Sequence, residues 1–120
     1  MCMLLFPSVD RNCHLCEASG CTALELLYSI PKPCPTGLSF CMTDVLQLSG
    51  QRQVFKRCVD EQTCRREWYD ESSDETKCQN YNSRDPRRQD LLCHFCCEGD
   101  ACNTKIRPET RNLYIPLTSP

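Results

Sequence analysis

The stretch that decides the fold lies near the end of the chain and reads Cys93-His94-Phe95-Cys96-Cys97-Glu98-Gly99-Asp100-Ala101-Cys102-Asn103. It belongs to a chain of 120 residues that contains 13 cysteines, a share typical of disulfide scaffolds. In such chains, covalent links replace part of the burial that a small core lacks. Because persistent disulfides need an oxidising compartment, the composition predicts secretion or the extracellular face of the plasma membrane.

Length and charge narrow the classes of function. A chain of this length is one domain by expectation, and its formal net charge of -2 shows no basic excess of the kind that binds nucleic acid. Both histidines, His14 and His94, lie beside cysteines, and no set of acid, base and nucleophile stands out. We therefore predict no catalysis, no nucleic-acid partner, no small-molecule substrate and no cofactor.

The two ends of the chain are assigned to segments outside the domain. Residues 1–12 begin with an apolar run that lacks a positive n-region and is cut short by Pro7 and Asp10, so we interpret them as an extension, either a signal-peptide remnant or an isoform start. Residues 105–120 show no periodicity and predict a flexible tail. The sequence shows neither a membrane helix nor a glycolipid-anchor signal, and a longer precursor could carry either.

Three loops separate the cysteine clusters. The first loop, residues 22–33, is apolar and ends in Pro31-Lys32-Pro33; it predicts a short β-hairpin, with a helical turn at residues 23–27 as the alternative. The second loop predicts two strands, residues 40–48 and 52–59, around the hairpin connection Ser49-Gly50-Gln51. The third loop, residues 65–92, is long and polar, and strands are predicted only at its ends.

The cysteine spacing resembles that of the lymphocyte-antigen/urokinase-receptor family of three-finger domains, whose pattern has ten cysteines. The residues that carry the resemblance are Cys13, Cys16, Cys21, Cys34, Cys41, Cys58, Cys64 and the ending Cys96-Cys97-Glu98-Gly99-Asp100-Ala101-Cys102-Asn103. The resemblance covers residues 13–103, and we assign the domain to residues 13–104. It implies a small, disulfide-rich, all-β three-finger fold, in which three β-hairpin loops project from a disulfide knot that replaces a hydrophobic core.

The resemblance also implies which cysteines pair. Carried over position by position, the family pattern gives the pairs Cys13–Cys41, Cys16–Cys21, Cys34–Cys58, Cys64–Cys96 and Cys97–Cys102. Cys78 and Cys93 exceed the pattern and flank the third loop, and we pair them with each other, as in a subgroup of the family. Cys2 is left over, which indicates a free thiol, an intermolecular link or a residue absent from the mature chain, and we favour the last. Asn103 is expected to hydrogen-bond backbone near the knot and to tether the chain end.

The residues predicted to contact a partner lie in the second and third loops, and family members often bind through the second finger. They are Leu46, Leu48, Arg52, Phe55, Trp68, Tyr69 and Asp70. Large aromatic side chains in a polar loop are typical of binding hot spots, and charged neighbours influence partner choice. Two alternatives stay open: Trp68 and Tyr69 pack back onto the knot as a small core, and Phe55 lies on a sheet face.

The resemblance implies a function in binding. We expect a monomeric extracellular module that modulates a membrane receptor, of the nicotinic acetylcholine receptor or Wnt co-receptor class, with a receptor ectodomain or a secreted ligand as its partner. The first alternative is a growth-factor-binding ectodomain like those of activin and bone-morphogenetic-protein receptors. The second is a zinc-stabilised module that uses Cys13-His14-x-Cys16 and Cys93-His94-x-Cys96. Four ligands would leave most cysteines unexplained, so we predict no metal site.

Overall fold

Two small antiparallel sheets and several short helices make up the part of the chain that the computed structural model describes, residues 11–116. In chain order the elements are β1 (Asn12–Cys13), α1 (Ala23–Tyr28), β2 (Lys32–Pro33), β3 (Phe40–Leu48), β4 (Gln51–Val59), α2 (Glu61–Thr63), a π-helix (Cys64–Ser72), α3 (Thr76–Gln79), β5 (Leu91–Cys97) and a 3-10 helix (Thr110–Asn112). Strand β1 pairs with β2, and β3 lies between β4 and β5. The protein is therefore small, mostly β and rich in disulfides.

The second loop forms the β-hairpin that its sequence predicts. Strands β3 and β4 pair from Phe40 opposite Val59 to Leu48 opposite Gln51, so β4 begins one residue earlier than expected. The connection is a two-residue turn in which Ser49 has φ of 53° and Gly50 has φ of 78°. Positive φ at both positions matches the right-handed twist of the flanking strands, and this hairpin prediction is confirmed.

Strands β1 and β2 pair at the base of the first loop, but residues 23–28 and the start of the third loop are helical, which corrects the expectation of an all-β fold with three β-hairpins. The first loop contains α1, so the helical-turn alternative holds. Its start is fixed by a capping box: Thr22 Oγ1 accepts from the Glu25 N–H at 3.1 Å, and the Thr22 N–H donates to Glu25 Oε1 at 2.8 Å. The third loop begins as a π-helix, where the Ser73 N–H donates to the Trp68 carbonyl, and only its end is a strand.

Six disulfides join all twelve cysteines of the described residues. They are Cys13–Cys41, Cys16–Cys21, Cys34–Cys58, Cys64–Cys96, Cys78–Cys93 and Cys97–Cys102. Their Cα separations run from 5.0 to 6.0 Å, inside the usual range for a disulfide. The pairs coincide with those that the resemblance implies, whereas Cys2 lies outside the described residues.

A hydrophobic core accompanies the knot, although the resemblance implies a knot in place of one. Its larger members come from the three-stranded sheet, the π-helix and the chain end: Phe40, Met42, Val45, Val59, Trp68, Phe95, Leu113 and Tyr114. Several disulfide sulfurs belong to the same cluster. Burial and covalent links therefore act together at this end of the sheet.

Residues 105–116 pack against the domain, which corrects the expectation of a flexible tail for this segment. Leu113 and Tyr114 are buried, and the Tyr114 N–H donates to the Cys96 carbonyl at 2.9 Å along the free edge of β5. The Tyr114 ring meets Phe40 edge-on, with centroids 5.2 Å apart. The segment therefore covers a strand edge that would otherwise present unpaired backbone groups. Residues 1–10 and 117–120, at the ends of the predicted extension and tail, lie outside the described residues.

Within residues 11–116, the helices are too short to cross a membrane, and none has the required apolar composition. The six disulfides need an oxidising compartment to persist. The disulfides are compatible with an extracellular location.

Candidate binding surface

The third-loop residues predicted to bind a partner lie mainly in or against the core. Trp68 is only 6% exposed, and its Nε1–H donates to the Tyr114 carbonyl at 2.9 Å. Its ring lies 5.9 Å from the ring of Phe95. Tyr69 is partly buried against the same cluster, and only Asp70 is exposed. The structure thus supports the alternative in which Trp68 and Tyr69 form core, and it removes Trp68 from the accessible surface.

The second-loop residues divide between the two faces of the hairpin. Because side chains alternate along a strand, the pairing register places Leu46, Leu48 and Phe55 on one face and Arg52 on the other. Leu92 of β5 pairs with Leu46 and joins the first face. Leu48 is 54% exposed and Leu92 is 56% exposed. We call Leu46, Leu48, Phe55 and Leu92 the hairpin patch.

Phe55, the aromatic residue of the hairpin patch, is partly covered, because the small loop closed by Cys16 and Cys21 lies against it. Gly20, in that loop, has φ of +97°, and a Cβ there would stand 3.5 Å from the Phe55 ring and 3.1 Å from the Val54 carbonyl oxygen. Glycine therefore suits this position for both its backbone conformation and its close approach. Phe55 is a sheet-face residue with one open side, as the alternative interpretation has it.

Four of the seven exposed large hydrophobic side chains of residues 11–116 lie in the first loop, where the sequence predicts no binding residue. Leu24 is 69% exposed, Leu27 73%, Tyr28 74% and Ile30 76%, and no residue of α1 is buried. We call these four residues the first-loop patch. Its sequence signal is Thr22-x-x-Glu25, a capping box beside an apolar run, which predicts a helix too short to bury so many large side chains.

A cluster of charged side chains joins the π-helix to the sheet. Arg57 of β4 donates from Nε to Asp44 Oδ2 at 2.8 Å and from Nη2 to Glu67 Oε1 at 2.7 Å. The ring nitrogen Nδ1 of His94 lies 2.6 Å from Asp44 Oδ1. Burial alone would raise the pKa of Asp44, but the hydrogen bonds from His94 and Arg57 outweigh it and lower that pKa. The cluster therefore holds the third loop against β3, β4 and β5.

Within residues 11–116, two groups of side chains have metal-ligand geometry, and each has another explanation. Asp44, Glu67 and His94 offer ligand atoms within 4.8 Å of one another, yet the Arg57 guanidinium already supplies the positive charge between the two carboxylates. The sulfurs of the second group, Cys13, Cys34 and Cys58, are in disulfides and are not thiolates. The described cysteines therefore offer a zinc module no thiolate ligand.

His14 and Asn103 tie the chain end to the knot. The Asn103 side chain is buried; its Oδ1 accepts from the His14 N–H and its Nδ2–H donates to the His14 carbonyl, both at 2.9 Å. The His14 ring lies between Ser29 Oγ at 2.7 Å and Thr104 Oγ1 at 2.9 Å. Burial and the nearby charge of Lys56 lower the pKa of His14. The Asn103 contact is the one that the resemblance implies, and it is structural.

The chain matches no protein-family model, no curated protein and no solved structure. Its function must therefore be argued from its own residues and their geometry.

Proposed function

We propose that this protein is an extracellular binding module that modulates a membrane receptor through its first-loop patch and its hairpin patch. The receptor classes that the resemblance implies, nicotinic acetylcholine receptors and Wnt co-receptors, are the proposed partners. The three loops correspond in this proposal to three fingers, of which the first and third carry helices. Support for the finger assignment comes from the six disulfides, which gather the bases of the loops in the pairing that the resemblance implies.

The observation that carries the proposal is the exposure of the first-loop patch. Contiguous exposed apolar side chains mark interaction sites on soluble domains, and here four large ones fall within seven consecutive residues, each more than two thirds exposed. Burying one such side chain in an interface is worth about 1.5–3 kcal/mol. Leu24 and Tyr28 lie one helical turn apart and therefore present one continuous contact surface.

The local structure orders this surface before any partner binds. The capping box fixes the start of α1, and the disulfide from Cys21 and the pairing of β2 hold the two ends of the loop. A surface ordered in advance loses less conformational entropy on binding. The hairpin patch is ordered in the same way by the continuous pairing of β3 with β4 and β5.

The test is a binding screen with the oxidised protein against cells that each display one receptor ectodomain. The combined substitution Leu24→Ser and Tyr28→Ser should weaken binding to the receptor found by about 100-fold, the equivalent of about 3 kcal/mol. Ile115→Ser is the matched control, since Ile115 is apolar and 70% exposed but lies far along the chain. It should leave the affinity unchanged.

Two results would contradict the proposal. The first is the absence of binding to any receptor ectodomain by protein whose six disulfides are intact by mass. The second is binding of the folded double variant with the affinity of the wild type. Binding to secreted growth factors alone would instead favour the growth-factor-binding alternative.

A further inference from the structure

A groove of about 760 Å³ runs between α1, residues 81–84 and residues 104–107. One wall is apolar and is formed by Leu26, Leu27 and Ile106. The remaining lining includes three arginines that are distant in sequence, Arg52, Arg84 and Arg107. We call this concave surface the basic groove. Leu27 belongs both to the basic groove and to the first-loop patch, so the two surfaces adjoin along α1.

Four basic side chains line the basic groove, and within the described residues only Lys105 is paired, with Glu109 at 3.3 Å. The groove lining contains no aspartate or glutamate, and none of the three arginines lies within ion-pair distance of a carboxylate anywhere in residues 11–116. Other basic side chains of the domain are paired, such as Arg57 with Asp44 and Arg11 with Asp100. A concavity with three unpaired arginines on a chain of net charge -2 attracts and orients an anionic partner.

Two of the arginines are held in place by neighbouring groups. Arg52 Nη1 donates to the Ser83 carbonyl at 3.1 Å and to Tyr81 Oη at 3.3 Å. The guanidinium of Arg107 stacks over the Phe95 ring at 5.8 Å, and its buried Nε has no hydrogen-bond partner among the described residues. Ordered guanidinium groups lose little entropy when they bind a carboxylate, and their planar forks match its geometry.

A buried cation lies beneath the same groove. Lys56 is almost completely buried, and its Nζ donates to the carbonyl of Thr104, a residue of the groove lining, at 2.9 Å. No carboxylate within residues 11–116 pairs with it. Burial lowers the pKa of Lys56 to about 8, so most of its charge persists at neutral pH. An anion in the groove would partly offset this unpaired charge.

We infer that the basic groove binds an acidic peptide segment of the partner protein, with its carboxylates on the three arginines and an apolar side chain against Leu26, Leu27 and Ile106. The apolar wall favours a peptide over a sulfated glycan, because a glycan offers no side chain to bury there. This inference rests on the proposed function, since the occupant is part of the receptor that the first-loop patch contacts. It adds the chemistry that the partner must have.

The test uses a synthetic peptide of glutamate and aspartate residues around a central Leu-Phe pair, titrated into the isotope-labelled oxidised protein and followed by amide NMR shifts. Saturable shifts should cluster at residues 82–84 and 104–107 and weaken with added salt. A peptide with glutamine and asparagine in place of the acids should cause none. Arg84→Glu should weaken binding about tenfold or more, the equivalent of at least about 1.4 kcal/mol.

Arg88→Glu is the matched control, because Arg88 is exposed in the same loop and does not line the groove. Equal weakening by both substitutions would overturn the inference, since it would indicate general charge attraction. Groove shifts with a heparin fragment but none with the peptide would also overturn it. The failure of this inference and the failure of the proposed function can be told apart. The double substitution Leu24→Ser and Tyr28→Ser tests receptor binding and should leave peptide binding unchanged. A failure of the peptide to bind would leave the effect of the double substitution on receptor binding unaffected.

Discussion

In the first loop, Leu24, Leu27 and Tyr28 stand exposed on a six-residue helix, whereas in the third loop Trp68 is almost fully buried. Both loops carry large apolar side chains, but they differ in what lies beside those side chains. The third loop is bound to β5 through Cys64–Cys96, to the sheet through the Arg57 cluster, and to the chain end through Tyr114. The helix of the first loop is held at its ends, by its capping box, the neighbouring Cys16–Cys21 disulfide and the contact of Ser29 with His14, and none of its residues is buried.

The difference shows that an aromatic residue in a polar loop indicates binding only when no other segment covers it. For Trp68, the cover comes from residue 114, distant along the chain. For the first loop, no described segment provides it. The exposed apolar surface is therefore concentrated on the first loop, and we place the binding function there and on the hairpin patch.

The largest expected change in the free energy of unfolding concerns Trp68, the buried aromatic residue of the third loop. Trp68→Ala removes a core side chain and its hydrogen bond to Tyr114, and should lower the free energy of unfolding by about 3–5 kcal/mol. Leu24→Ala, on the exposed side, should change it by less than about 0.5 kcal/mol. Guanidinium unfolding with intact disulfides measures both. A Trp68→Ala change as small as that of Leu24→Ala would mean that the third loop is not core.

The next prediction concerns the segment that covers the third loop. Tyr114→Ala should destabilise the fold by about 3 kcal/mol, because it exposes Phe40 and removes the hydrogen bond from Tyr114 Oη to Glu61 Oε2 at 2.7 Å. Ile115→Ala is its control, since the neighbouring side chain is exposed and should have almost no effect. Equal effects of the two substitutions in the same unfolding experiment would restore the interpretation of residues 105–116 as a flexible tail.

A smaller effect on the free energy of unfolding is expected from the charged side chains buried near the two loops. The third loop rests on the paired network around Arg57, whereas Lys56, near the first loop, is buried and has no carboxylate partner within residues 11–116. Replacing it by an apolar residue of similar length, Lys56→Met, should stabilise the protein at pH 7 by about 1–2 kcal/mol. An unchanged or lower unfolding free energy for the folded variant would contradict the expected penalty of the buried charge.

The same lysine predicts a pH dependence. Its pKa falls from 10.5 to about 8 on folding, so the unfolded chain binds more protons between these values. The stability of the wild type should therefore rise with pH above about 8, and this rise should be absent in Lys56→Met. Burial and the Glu61 carboxylate raise the pKa of Tyr114 to about 12, which opposes the rise above pH 10, so urea unfolding between pH 8 and 10 is the useful measurement.

The smallest effect concerns the start of α1. Thr22→Ala removes the cap of a helix that no other element supports, and should cost the helix about 1 kcal/mol with little loss of global stability. Faster amide exchange within residues 23–28, with unchanged exchange in β3, would show this local effect. Unchanged exchange in α1 would mean that the first-loop patch is held by contacts other than its cap.

Parts of this structure follow from local sequence, and others depend on distant residues. The β3–β4 hairpin was predictable because alternation and Ser49-Gly50 both lie within the segment. Helix α1 was predicted only as the alternative to a hairpin, because its apolar residues resemble a strand pattern, although Thr22-x-x-Glu25 marks a helix start. The burial of Trp68 and the packing of Tyr114 depend on each other across 46 positions, and no local pattern reports such a contact. The sequence pointed to three residues of the hairpin patch as candidates for binding, but not to Leu92, because its place on that face depends on the register of β5.

Hydrogen–deuterium exchange of the oxidised protein, with and without the receptor found in the screen, tests most directly the proposal that the first loop and the β3–β4 hairpin bind the receptor. This proposal predicts that the receptor newly protects the backbone amides of residues 22–30 and of the turn between β3 and β4, with no change in Cys64–Ser72. New protection confined to Cys64–Ser72, with residues 22–30 unchanged, would contradict it and return the binding site to the third loop.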